Sequence, residues 1–289
     1  MESRLLRNLD SKISAKEYYD AHQLVRALFE RYARKGDLRA GVDFADKYAE
    51  VFAEHGQFEL CVNLGQRVLR LMQTTDQMPT GENIGKLAVL FCLCGPNSTD
   101  SKYEYMNQVI QWSKRNPEAS EEEKRDGAHD LHSMIADAYL NENKFGACQN
   151  HLVFCDDIDA MVDLTRRWQE TCYPTEKWLI PLRLTLILLC NKKFQVAKSY
   201  LDKCFDSWNS PDCPAPLQMA YLTWAACQHN SLELYETVSR KYALIFRLDE
   251  GIARLFETLQ SAVFKIQKQH SGILDMMSQF LAGAPPLTA

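Results

Sequence analysis

Signals for β-strands are almost absent from this sequence of 289 residues. No segment shows a sustained alternation of apolar and polar side chains, and no Asn-Gly or Asp-Gly turn separates two β-branched runs. β-Sandwiches and barrels need many such segments. The sequence therefore argues against a β fold.

Long apolar runs and a secretion signal are also absent. The most apolar run, residues 178–190, contains Pro181 and Arg183 and is too short to span a bilayer. The N-terminal residues carry a charge every few positions, unlike a signal peptide. Ten scattered cysteines without such a signal are typical of buried thiols in a reducing compartment. We therefore expect a cytosolic protein that does not insert into membranes.

A strong charge of one sign is lacking as well. The formal net charge is -5, and no dense tract of lysine and arginine occurs. Proteins that bind nucleic acid by neutralising phosphates are usually basic, so nucleic acid is not an expected partner. The composition, 46% hydrophobic and 25% charged, is that of a folded globular protein.

The motifs of common enzyme classes are missing, including G-x-S-x-G, H-E-x-x-H and the dinucleotide-binding glycine fingerprint. Residues 81–87, GENIGKL, only superficially resemble a phosphate loop. Three residues separate the glycines instead of four, and Leu87 replaces the serine or threonine that binds magnesium. We favour a turn that begins a helix, and the sequence predicts neither an enzyme nor a cofactor.

Two groups of potential metal ligands are incomplete. His129 and His132 lie one helical turn apart, with no third ligand at a suitable spacing. Cys148, His151 and Cys155 share one face of a single helix, which rarely closes a tetrahedral site alone. Polar helix surface for the first group and core packing for the second are favoured over metal binding.

Helical periodicity, in contrast, is present along the whole chain. The clearest case is residues 16–34, where apolar residues recur at steps of three and four along one face. Short polar turns separate such segments, and Asp37 is the expected N-cap of the next helix, after Gly36. Longer predicted helices include 120–141 and 231–246.

A weak repeat marks the beginnings of several predicted helices. A large residue follows a polar turn, and a small residue usually comes three positions later. We interpret the small residue as the point where two helix backbones approach closely. The pairs are Tyr18/Ala21, Leu38/Gly41, Phe58/Cys61, Phe145/Cys148 and Phe194/Ala197, with Leu232/Tyr235 as a degenerate sixth.

Many short helical hairpins in series predict an all-α fold, a tetratricopeptide-like α-solenoid of stacked antiparallel hairpins. No linker divides the chain sharply, so we expect one continuous solenoid with an N-terminal half, residues 1–142, and a C-terminal half, residues 143–289. Such stacks usually present surfaces to partner proteins.

The C-terminal stretch 271–283 carries a second apolar stripe at helical spacing. Its two adjacent methionines could adapt to a foreign surface, or the stripe could cap its own solenoid. Both interpretations can hold together if a partner packs across a capping helix. The residues of the stripe are Ile273, Met276, Met277, Phe280 and Leu281.

Two short motifs are specific enough to identify a family. They are YYDAHQ at residues 18–23 and DMMSQFLAG at 275–283. Weaker motifs lie between them: Arg26, Arg31-Tyr32, HGQ at 55–57, Leu131-His132 and NKF at 143–145. Through these residues the chain resembles the Golgi to ER traffic protein 4 family over nearly its full length.

The resemblance implies a scaffold in the cytosolic pathway that delivers tail-anchored membrane proteins to the endoplasmic reticulum. Residues 1–142 would bind the dimeric targeting ATPase. Residues 143–289 would hold a ubiquitin-like adaptor, either alone or within a larger chaperone complex, through the C-terminal stripe. The proline-rich segment 210–217 matches a loop near the family's adaptor site, although it could equally be an ordinary connection.

The resemblance also implies which residues contact the ATPase. A basic position after the Arg-Tyr pair is filled by Arg34. An acidic pair of the family falls on Asn63 and Arg70, so one charge is lost and one is reversed. The implied ATPase-binding residues are Tyr18, His22, Arg26, Arg34, Asn63 and Arg70.

Two other functions are compatible with the same sequence. The methionine-rich C-terminal stretch also suits a chaperone that binds hydrophobic clients directly. A helical-repeat subunit of another cytosolic complex is the remaining alternative, although no strands of a winged helix follow the solenoid.

Overall fold

The structure, a computed structural model, describes residues 2–96, 99–205 and 208–265. It divides into two compact units, Met1–Asp156 and Asp157–Ala289. The predicted all-α class is confirmed, since the described residues form helices joined by turns and contain no strand.

The helices of the first unit pack as successive hairpins, because α2 packs on α1, α3 on α2, α4 on α3 and α9 on α8. In chain order they are α1 (Glu2–Ser14), α2 (Tyr18–Lys35), α3 (Leu38–Glu54), α4 (Phe58–Thr74), α5 (Gly81–Cys92), α6 (Ser101–Ser113), α7 (Glu121–Asp126), α8 (His129–Asn141) and α9 (Phe145–Leu152).

The second unit is built in the same way, with α11 packed against α12, α13 and α16. Its helices are α10 (Ile158–Thr171), α11 (Leu179–Cys190), α12 (Phe194–Cys204), α13 (Ala215–Gln228), α14 (Leu232–Lys241), α15 (Ile245–Leu248) and α16 (Glu250–Phe264). The apolar helix α11 forms its centre, with Leu182, Leu186 and Leu188 fully buried.

One type of turn recurs in both units. A residue with positive φ ends one helix, and the next residue, near φ −85° and ψ 60°, caps the following helix. The capping residue donates its N–H to the carbonyl five residues back, the 6→1 bond of a Schellman motif. The positive-φ residues are Lys16, Gly36, Gly56, Asn143, Lys192 and, before the more extended cap Ser231, Asn230.

The predicted repeat is confirmed at the level of packing. Each of its large residues is the first residue of a helix, and Ala21, Cys61, Cys148 and Ala197 are fully buried. At Gly41 an added Cβ would lie 3.3 Å from the Cβ of Tyr32, so the small residue does mark a close approach of α3 to α2.

The predicted caps at the α2–α3 turn are also confirmed. Gly36 has φ 72°, and Asp37 accepts a hydrogen bond from the Ala40 N–H at 3.1 Å.

The prediction of one helix over 120–141 is wrong. The chain breaks between α7 and α8 at Gly127, which has φ 110°. A Cβ at this position would lie 2.5 Å from Cγ2 of Ile110, so the break lets the chain pass against α6. The predicted helix 231–246 also ends early, because α14 stops at Lys241.

Candidate partner-binding site

The first cluster of predicted binding residues lies along α2. Tyr18, His22, Arg26 and Arg34 follow one another at multiples of four residues, so they form a row that turns slowly along the helix. Glu30 fills the missing place in this row. The row is therefore a charged ridge with an aromatic residue at its N-terminal end.

Tyr18 and His22 anchor this ridge to the α3–α4 turn. The Tyr18 ring is half-buried, with its centroid 5.1 Å from that of His55. His22 is only 4% exposed, and its ring lies 5.9 Å from that of Phe52. His22 is therefore placed beneath the surface, where it can act on a partner only through the residues that it positions.

The environment of His22 keeps its imidazole neutral. Burial lowers the pKa of His22 to about 4, and the charges of Arg26 and Arg67 act in the same direction. An interaction with the Asn63 amide opposes them. Nε2 of His22 has no hydrogen-bond partner among the described residues. His22 is therefore a packing residue whose polar atom is left unsatisfied.

Arg67, which the sequence analysis missed, connects α4 to α2. Its Nε donates to Oδ1 of Asn63 at 3.0 Å, and its Nη1 donates to Oε1 of Glu30 at 2.9 Å. The available signal was its spacing, four residues after Asn63 and three before Arg70, which puts all three on one side of α4. Arg67 brings the two predicted groups of residues into one surface.

This surface, here called the α2–α4 face, consists of Tyr18, Arg26, Glu30, Asn63, Arg67 and Arg70. Burial lowers the pKa of Arg67, and the positive charges of Arg26 and Arg70 lower it further. Glu30 is the acid that opposes them, and it is already paired with Arg67. The face is therefore positively charged.

Arg34 lies one turn beyond Glu30 on α2, and its Nε donates to the Glu30 carbonyl at 3.3 Å. Its side chain is exposed and extends the same positive charge toward the end of the helix. Arg70 is exposed as well, so a partner protein can reach both arginines.

The predicted contacts of the C-terminal stripe lie outside the described residues. They are Ile273, Met276, Met277, Phe280 and Leu281.

The proline-rich segment 210–217, in contrast, is described and packs onto α13. Cys213 is buried, and its carbonyl accepts a hydrogen bond from Nε2 of Gln218 at 3.2 Å. Nearby, Trp208 stacks on Tyr221 with ring centroids 5.4 Å apart and stays 39% exposed.

The interpretation of residues 81–87 as a helix-starting turn is confirmed. Thr80 caps α5 by accepting a hydrogen bond from the Asn83 N–H at 3.4 Å.

The interpretation of His129 and His132 as polar surface is wrong for His132, which is 4% exposed. Its Nδ1 lies 3.0 Å from Nδ1 of His151, and its Nε2 lies 3.2 Å from the Asp126 carbonyl. The break after α7 turns His132 inward, which periodicity alone could not reveal.

Half of the ten thiols follow the expectation of burial. The buried ones are Cys61, Cys94, Cys148, Cys213 and Cys227. Cys92 is exposed, and the half-buried ones are Cys155, Cys172, Cys190 and Cys204. In the part of the chain that the structure describes, no three His, Cys, Asp or Glu side chains are grouped as metal ligands would be.

A cavity of about 570 Å³ opens between α5, α6 and α8 in the first unit. Its wall is mostly apolar, with Phe91 and Met134 contributing. Its charged lining residues are Lys102, Asp137 and Glu142. Lys102 and Glu142 form an almost fully buried ion pair, and Nζ of Lys102 also donates to the Gly95 carbonyl at 2.9 Å. This pair is satisfied within the protein and calls for no ionic ligand.

Comparison with known proteins gives one consistent result. The sequence model of the family described as Golgi to ER traffic protein 4 matches residues 35–281. A Golgi to ER traffic protein 4 homolog from Dictyostelium discoideum is 23% identical over 285 residues, covering 98% of this chain and 90% of its own. The homolog from Bos taurus is 25% identical over 286 residues, covering 96% of this chain and 86% of its own.

A solved structure has the same fold. The crystal structure of C. therm. Get4 superposes with a TM-score of 0.74 at 20% identity, covering 99% of both chains. Among residues 2–96, 99–205 and 208–265, no helix has the length and hydropathy needed to cross a lipid bilayer.

Proposed function

Because the chain belongs to the Golgi to ER traffic protein 4 family, we propose that it is a non-enzymatic cytosolic scaffold for delivering tail-anchored membrane proteins to the endoplasmic reticulum. The family match over residues 35–281 carries this proposal. The scaffold binds a targeting ATPase at one site and a ubiquitin-like adaptor at another. The client can then pass to the ATPase without exposing its apolar helix to water.

The physical basis of this function is effective concentration. Two partners held on one chain meet in an effectively intramolecular step, which raises their local concentration without any new contact between them. A scaffold that binds one nucleotide state of the ATPase more tightly also shifts the ATPase toward that state.

The α2–α4 face and the adjoining Arg34 form the proposed ATPase site. Its proposed contacts are Tyr18, Arg26, Arg34, Asn63 and Arg70, and His22 lies beneath them. Its charged side chains stand on packed helices, and the Arg67–Glu30 pair joins α2 to α4. A site on rigid elements loses little conformational entropy when a partner binds. The positive charge of the face requires a partner surface with acidic groups.

The C-terminal stripe is the proposed adaptor contact. An amphipathic stretch with methionines can adapt its packing to a partner groove. The exposed Trp208 beside segment 210–217 offers a second apolar contact in the same half of the chain. This division of roles, residues 1–142 for the ATPase and 143–289 for the adaptor, stays a prediction.

Reversing the charge of Arg70 tests the ATPase site. We expect Arg70→Glu to weaken binding of the cognate ATPase about fivefold or more at low salt, and the difference to shrink at high salt because ions screen exposed charges. Affinity measured by titration at two salt concentrations checks this result.

The matched control for that titration is Arg39→Glu. It makes the same charge change on α3, where the exposed Arg39 acts on Glu82 of α5 and is not part of the α2–α4 face. If both variants weaken binding equally, Arg70 affects the ATPase only through the net charge of the protein and is not a contact. Tighter binding by Arg70→Glu would mean that the ATPase surface is basic.

A further inference from the structure

An apolar surface in the second unit has no cover among the described residues. Leu244 is 71% exposed and Leu248 is 69% exposed. The two lie four residues apart on the turn that forms α15, so they share one side of it. Large apolar residues exposed side by side usually mark a contact surface.

The surface continues into a small cavity. Leu248 lines a cavity of about 210 Å³ together with Trp168 and Cys172 of the α10 end. Pockets for small molecules begin near ~300 Å³, so this cavity fits a single side chain better than a ligand. Of the charged residues that line it, Arg183 pairs with Asp249, and Glu176 is exposed to solvent. We call Trp168, Cys172, Leu244 and Leu248 the α15 patch.

The last described residue has the backbone conformation of the reversing turns of this fold. Lys265 ends α16 with φ 56° and ψ 23°. Lys192 and Asn230 have a similar left-handed φ, and after each of them the chain reverses into a helix that packs on the preceding one. A turn of this type at Lys265 would direct the chain toward Glu250, the first residue of α16, which follows the α15 patch in sequence.

The connection is long enough to reach it. Helix α16 has 15 residues, a length of about 22 Å at ~1.5 Å per residue. The chain from 266 to 273 can span about 26 Å at ~3.3 Å per residue. The apolar stripe that begins at Ile273 can thus lie over α15 without any change in the described fold.

We propose that the C-terminal segment 271–283 of this chain docks on the α15 patch, with its apolar stripe over Leu244 and Leu248. The segment carries a single charged side chain, Asp275, so little charge is removed from water. Its methionines suit a shallow surface with one small cavity. The tether holds the segment at a high effective concentration beside the patch.

This contact forms within the isolated chain, so it can be tested without the adaptor or the ATPase. Because the stripe is also the proposed adaptor contact, the α15 patch would compete with the adaptor, which must then displace the segment from its own chain.

Hydrogen exchange of the full-length chain, followed by mass spectrometry, tests the proposal. Docking predicts that amides in 271–283 exchange at least about tenfold more slowly in the natural chain than in the double variant Leu244→Glu/Leu248→Glu. The matched control is Val89→Glu, which places the same charge at another exposed apolar residue, 53% exposed, in the first unit. In this control variant, segment 271–283 should exchange as slowly as in the natural chain.

The reciprocal variant Phe280→Glu lies in the segment itself and cannot disturb the described helices. It should speed exchange around α15 by releasing the segment. Equal exchange of 271–283 in all variants would overturn the proposal. Protection that rises with protein concentration would do so too, because a second copy would then be covering the patch.

Discussion

His132 and His151 form a pair of imidazoles inside the first unit, and their hydrogen bonds fix their tautomers. The Asp126 carbonyl can only accept, so Nε2 of a neutral His132 carries the proton. Its Nδ1 then accepts from Nδ1 of His151. Burial lowers the pKa of both rings, that of His151 to about 4, with the neighbouring His132 adding to the effect.

This pair predicts that acid destabilises the protein. The unfolded chain protonates His151 below about pH 6.5, its ordinary pKa, whereas the folded chain does so only near its folded pKa of about 4. Between these values the unfolded state binds more protons, so the free energy of unfolding falls as pH falls. The free energy of unfolding lost through His151 on acidification is up to about 3 kcal/mol.

Comparison with His151→Gln isolates this contribution. The free energy of unfolding of both proteins is measured in urea at pH 7, 5.5 and 4. As pH falls, the natural protein should lose more of this free energy than His151→Gln does. Asp46 acts oppositely, because burial raises its pKa to about 6, and this contribution cancels in the comparison. A difference that stays constant with pH would mean that His151 has the same pKa in the folded and unfolded states.

At the residue scale, the sequence predicts which residues share a helix face better than it predicts what each side chain contacts. The spacing of Tyr18, Arg26 and Arg70 correctly puts them on helix surfaces, because the helical period fixes which residues share a face. It cannot show that Arg67 pairs with Glu30, since that contact joins residues 37 positions apart. It also cannot show that His132 is buried, because burial there depends on how the chain returns after α7.

Among the elements, the turns carry a recurring cost in backbone conformation. Gly36 and Gly56 adopt the left-handed backbone conformation at two of these turns, and Lys16 and Lys192 adopt it at two others. A residue with a Cβ is strained in this region by roughly 1 kcal/mol, which glycine avoids. The fold therefore carries removable strain at the turn between α11 and α12.

Replacing this lysine with glycine should stabilise the second unit. Lys192 has φ 60° and an exposed side chain, so Lys192→Gly removes strain and no buried contact. Glycine also raises the entropy of the unfolded chain, so the expected net gain is about 0.5 kcal/mol. The midpoint of urea unfolding measures it.

Lys193→Gly is the matched control for that substitution. Lys193 has φ −84° and ψ 60°, a conformation that needs no glycine. This variant should therefore be neutral or destabilised. Equal midpoint shifts for both variants would mean that the strain at Lys192 does not limit stability.

Helix boundaries were predictable where the turn chemistry is local. The α2–α3 turn was identified from Gly36 and Asp37 because both act within a few residues of chain. The break between α7 and α8 was not, since Gly127 also fits inside a periodic pattern. Its conformation is required by contact with Ile110 on α6, which is remote in sequence.

For the whole molecule, sequence periodicity was sufficient for the all-α class, because helical hairpins bury their apolar faces against sequence neighbours. The proposed binding roles were accessible only through family resemblance, because a surface that binds a protein has no obligatory motif. The structure adds the positive charge of the α2–α4 face, and the proposal of an acidic partner surface depends on that charge.

The central claim is that one chain holds two different partners at once. Size-exclusion chromatography with light scattering, on the full-length chain mixed with its cognate targeting ATPase and ubiquitin-like adaptor, tests it most directly. The account predicts one complex that contains all three proteins, and no complex of ATPase with adaptor when the chain is omitted. Mutually exclusive binding of the two partners, or association of ATPase and adaptor without the chain, would contradict it.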